Sequence, residues 1–65
     1  MNDFQRYLAE EFAERGELAR AQDAIAQART IEPTYYRVWL RSAVIAMQAR
    51  KYDEAMNFAY RASCG

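Results

Sequence analysis

An echo between the two halves of this chain constrains it more than any other feature of its sequence. Ala9 returns as Ala43, Ala21 as Ala55 and Ala28 as Ala62, and these are the only identities at that offset. The class of residue repeats as well: Leu18 is answered by Tyr52, and Asp53-Glu54-Ala55 follows a turn as Ala19-Arg20-Ala21 does. Small residues recurring at one period mark places where two helices touch closely, and larger residues between them fill the space left over. A period of about 34 residues with that grammar describes a helix–turn–helix unit used twice.

The chain has 65 residues, so it is read as one domain spanning 1–65, with unit one over about 2–34 and unit two over about 35–65. A chain this short buries only about 60% of its unfolded surface, and its core supplies roughly 3–5 kcal/mol. With one Cys and no His, neither a disulfide pair nor an ordinary zinc site can add to that. No metal and no cofactor is expected. Yet 52% of the residues are hydrophobic and 14% aromatic, a surplus that suggests burial against another copy or another protein.

The net charge is zero but unevenly spread. Residues 1–32 carry seven carboxylates against four arginines, a net −3, and residues 33–65 carry five cations against two carboxylates, a net +3. Such asymmetry favours docking one half on the other half of a neighbour, or it is two ordinary solvated faces. The overall balance argues against a phosphate-binding surface along the whole chain. The polar, acidic start lacks a secretory pattern, and the run from Ala43 to Met47 is far too short to span a bilayer. The expected compartment is cytoplasmic.

Four helices are expected and no alternating strand pattern competes, so the fold class is all-α. Asn2 or Asp3 can cap the first helix, whose stripe is Phe4, Leu8 and Phe12, widened by Tyr7, before Gly16 ends it. Leu18, Ala21, Ala24-Ile25, Ala28 and Ile31 mark the second, stopped before Pro33. The third runs from about Thr34, its expected cap, to Ala49 and is apolar nearly all round, so it should be covered on several sides. After Arg50-Lys51-Tyr52, Asp53 is expected to cap a fourth helix through Ala55, Met56, Phe58-Ala59 and Ala62, with Gly65 placed to end it.

These residues resemble the tetratricopeptide repeat family. Unit one reads Gln5-x2-Leu8-Ala9-x2-Phe12, Gly16, Ala21-x3-Ile25, Ala28 and Pro33. Unit two reads Trp39-x2-Ser42-Ala43-x2-Ala46, Arg50, Ala55-x3-Ala59 and Ala62. The resemblance implies two antiparallel helical hairpins stacked as a minimal α-solenoid. Three departures stand out. Ala46 and Ala59 replace aromatics, so unit two should be looser or filled from outside. Arg50 replaces the turn glycine, which should lengthen or reshape that turn. Two units fall short of the three or so that usually stabilise such an array. Met56, Phe58 and Tyr60 on the fourth helix, with Leu40, Val44 and Met47 on the third, are therefore short of partners. Exposing each forfeits roughly 1.5–3 kcal/mol.

The resemblance also implies a partner-binding groove, mapped onto Arg6, Tyr7, Glu10, Glu14, Arg37, Leu40, Arg41, Val44 and Met47. Arg41 alone could grip a carboxylate there, but the family's full carboxylate clamp is absent, since Glu10 stands where Asn would be wanted. The mixed acidic and apolar lining suits an amphipathic helix or peptide carrying some basic residues. The function this points to is protein–protein interaction, as an adaptor, assembly factor or small chaperone. The alternative is homo-oligomerisation, as a homodimer, with Met56, Phe58 and Tyr60 as interface candidates and the groove filled by the twin. Tyr35, Tyr36, Arg37, Trp39 and Arg41 interleave rings and cations as single-stranded nucleic-acid binders do, but two repeats and zero net charge make nucleic acid a poor partner. Enzymatic chemistry has no catalytic His, phosphate loop or carboxylate pair to rest on. Cys64 is read as an exposed thiol that could cross-link two chains under oxidation.

Overall fold

A computed structural model of the chain describes residues 4–64. Helices α1 (Phe4–Glu14), α2 (Leu18–Ile31), α3 (Tyr36–Gln48) and α4 (Tyr52–Cys64) follow one another, and the described residues contain no strand. The expected caps Asn2 and Asp3, the terminal Gly65 and the side chain of Cys64 lie outside the described residues.

The two hairpin turns are closed by the same hydrogen bonds, moved on by one repeat. Gly16 N–H donates to Ala13 O at 3.1 Å and Glu17 N–H to Phe12 O at 2.8 Å. Arg50 N–H donates to Met47 O at 3.0 Å and Lys51 N–H to Ala46 O at 2.9 Å. Each pair forms a Schellman motif, which needs left-handed backbone at its pivot. Gly16 supplies it at φ 80° and Arg50 at φ 61°. Arg50 therefore does not lengthen or reshape the turn, as its side chain led one to expect. It takes up the glycine's conformation, at a cost of about 1–2 kcal/mol for a residue bearing a Cβ.

Two helix starts differ from the sequence reading. Thr34 does not cap α3; Tyr35 holds that position, with extended backbone and no side-chain cap bond. Tyr35 N–H bonds Glu32 O at 3.2 Å, so Pro33 and Thr34 are consumed in the turn, and Tyr35 O accepts the first helical bond, from Val38 N–H at 3.0 Å. The Trp39 indole closes the same turn by donating to Pro33 O at 2.8 Å. Asp53 does not cap α4 either. Lys51 O already accepts from Ala55 N–H at 2.9 Å, which places Asp53 and Glu54 within the first turn. There their charges still favour the helix N-terminus.

Within each hairpin α1 packs on α2 and α3 on α4, and the junction between hairpins is α2 on α3. Its buried cluster is Ala9, Ala21, Ala24, Ile25, Ala28, Val38 and Ile45, with Leu8, Phe12, Ala13 and Tyr35 packed around it. Alanine dominates because the helix backbones approach closely; Ile25, Val38 and Ile45 supply most of the volume. Among the described residues Ser42 is the buried polar one, and its hydroxyl is satisfied twice. It donates to Val38 O at 2.8 Å and accepts from Arg29 Nη1 at 2.7 Å. In unit two the space of the missing aromatics is filled partly from within. Ala46 is buried, and Trp39 meets Phe58 with ring centroids 6.0 Å apart, whereas Ala59 lies exposed. The result is a slab of 30 × 29 × 13 Å.

Candidate functional site

The trough between α1 and α3 gathers most of the residues expected to form a groove. Arg6, Glu10, Arg37, Leu40, Arg41 and Val44 line a depression of about 120 Å³. Glu10, Ala13, Glu14, Arg41, Val44, Ile45 and Gln48 line an adjoining one of about 190 Å³. Glu10, Arg41 and Val44 belong to both. Glu10 Oε2 and Arg41 Nη2 pair at 3.2 Å across the trough, each side chain about two-fifths exposed. Arg41 thus already holds a carboxylate from its own chain. Arg37 lies over the Tyr36 ring and Arg6 over the Tyr35 ring.

Tyr7 and Met47, both well exposed, line neither depression. With helical periodicity, Tyr36, Leu40, Ala43 and Met47 form a separate stripe on α3. Leu40 is shared between that stripe and the trough. On α4, Tyr52, Met56 and Tyr60 are exposed, Met56 at 71% and Tyr60 at 69%. Phe58, grouped with them from the sequence, is half-buried against Trp39 instead. Its counterpart one repeat earlier, the buried Ala24, carried that signal. Of the rings considered for base stacking, Tyr35 packs on the core and Trp39 is tied to Pro33, which leaves Tyr36 exposed.

The internal junction is a template for the exposed end. There Val38 and Ile45 of α3 cluster with Ala9, Ala21, Ile25 and Ala28. Moved on by one repeat, that floor becomes Ala43, Ala55, Ala59 and Ala62, bordered by Leu40 and Met47 on one side and Tyr52 and Met56 on the other. Ala43 and Ala55 are buried, but Ala59, standing where Ile25 stands, is open. The side chain at that place is smaller than its counterpart at the junction and is not covered by the described residues.

The sequence-family comparison decides the architecture: a tetratricopeptide repeat model matches residues 12–62. The chain belongs to the tetratricopeptide repeat family. Members of this family are protein-interaction modules, which fits two repeats that leave many apolar side chains uncovered. No curated protein and no solved structure matches the chain. Among the described residues no group of His, Cys, Asp and Glu is placed to hold a metal ion, and no helix is long and apolar enough to cross a membrane.

Proposed function

We propose that this tetratricopeptide repeat pair is an adaptor, assembly factor or small chaperone that receives an amphipathic helix or peptide of a partner protein. The observation that carries this is the continuous apolar surface of α3. Leu40 and Val44 in the trough adjoin Met47 and Tyr36 on the end face, with the Glu10–Arg41 pair and Arg37 as a polar rim. A central apolar patch with a charged border is the usual anatomy of a protein interface. The segment it suits carries a bulky apolar stripe and both basic and acidic flanks, to meet Glu14 and Arg37. Within a cell, the cytoplasm is the setting we expect.

Association with a second copy is the other reading. The offset supports it in part: the Glu10–Arg41 pair, moved on by one repeat, becomes Val44 and the Tyr7 of a next unit, both apolar and exposed. One residue opposes end-to-end stacking. Glu11 is the counterpart of Ile45 in the preceding repeat, so stacking would bury a carboxylate in the place of an isoleucine that is 1% exposed. An unpaired buried charge costs several kcal/mol. A separate partner is therefore favoured. Light scattering after size exclusion, over a hundredfold concentration range, tests the choice. A monomer throughout, with partner capture lost in Val44→Glu, is the expected result. A dimer at every concentration, abolished by Met56→Glu, would overturn it in favour of self-association.

A further inference from the structure

Away from the trough, α2, α3 and α4 converge on a cluster that the interaction surface does not use. Arg29, at the end of α2, lies 4.5 Å from the Phe58 ring centroid and 5.6 Å from that of Trp39. Arg61, on α4, lies 5.1 Å from the same Trp39 ring. Both guanidiniums, with Asn57, Tyr60 and the two rings, line one open cavity of about 660 Å³. Neither arginine is within ion-pairing distance of a carboxylate among the described residues. Arg29 spends one Nη1 bond on Ser42 and keeps further N–H donors. Burial lowers the pKa of Arg29; the Glu54 charge opposes this, and the Arg61 charge adds to the lowering more weakly. Two cations thus share one tryptophan with no described carboxylate in ion-pairing contact, Glu54 acting on Arg29 only from further off, and an anion bound between them would offset their mutual repulsion.

We infer that this cavity binds an oxyanion, gripped by Arg29 and Arg61 with Asn57 and Tyr60 as further donors, while Trp39 and Phe58 form an apolar wall for the group that carries it. A planar guanidinium offers paired N–H bonds to phosphate and carboxylate alike, and two of them favour a doubly charged phosphate over a single carboxylate. The site is local: the chain's zero net charge provides no general attraction for anions. It is also distinct from the trough, with which it shares no lining residue.

Trp39 is the sole tryptophan and so reports on its own site. The intact chain is titrated with sodium phosphate, and separately with sodium acetate, against sodium chloride at fixed ionic strength, following indole emission and the thermal midpoint. A saturable emission change with a rise in midpoint is expected for phosphate, with acetate weaker. Equal responses to phosphate and acetate would assign the site to a carboxylate and still support it. Arg61→Gln should weaken phosphate at least about tenfold, and Arg61→Lys should recover part of the loss. Circular dichroism checks that each variant stays helical; Asn57→Ala, at an exposed position, is the substitute if Arg61→Gln loses helicity. A phosphate response no different from chloride would overturn the inference. So would an undiminished response in Arg61→Gln or in its substitute Asn57→Ala.

Discussion

Arg50 shows how far one residue can depart from a pattern without changing the structure that the pattern encodes. The hydrogen bonds of its turn match those around Gly16, so the chain absorbs the cost of a left-handed arginine. Arg50→Gly should therefore stabilise the fold by about 1 kcal/mol, read as a higher urea midpoint with an unchanged slope. Ile25 lies at the opposite extreme, among the largest fully buried side chains. Ile25→Ala should cost about 2–5 kcal/mol, comparable with all that a core this size supplies, and the cooperative thermal transition should vanish. The sequence made Ile25 legible because its spacing from Ala21 and Ala28 put it on the inner stripe. It hid the behaviour of Arg50, because residue type reports a preference while the neighbouring carbonyls decide the conformation.

The helices themselves were readable from stripes and stops, and their boundaries moved only where backbone bonds outranked side-chain caps. Thr34 and Asp53 have good capping chemistry, but each turn had already placed its first free carbonyl at a neighbouring residue, Tyr35 and Lys51. The trough was legible as a set of residues, and seven of the nine expected line it. Its closure by Glu10 and Arg41 was not, since two residues on different repeats reveal no distance in a sequence. That pair is exposed enough that Glu10→Gln should change stability by less than about 1 kcal/mol. It should nevertheless free Arg41, so a peptide bearing a carboxylate is expected to bind the variant more tightly than the parent. Isothermal titration with such a peptide checks this. Unchanged affinity would mean that the pair does not gate the trough.

As a whole, the molecule has the radius of gyration of an ordinary small domain, 10.5 Å against about 10.7 Å expected for its length, yet its shortest dimension is 13 Å. Flatness explains why a composition so rich in apolar residues leaves Tyr36, Leu40, Met47 and Met56 in view: two layers of helix have too little interior to hide them. It also sets what α3 can transmit. Arg41 pairs with Glu10 of α1, and its neighbour Ser42, about 100° round the same helix, accepts from Arg29 of α2. Adjacent positions on a single rigid rod thus hold one contact to α1 and one to α2. A rotation of α3 that lengthens one contact also shifts the other, so a guest that turns this helix from the trough is expected to change affinity at the Arg29 cluster. Thermodynamic reciprocity then requires that any ligand tightened by a guest at the other site tighten that guest by the same factor.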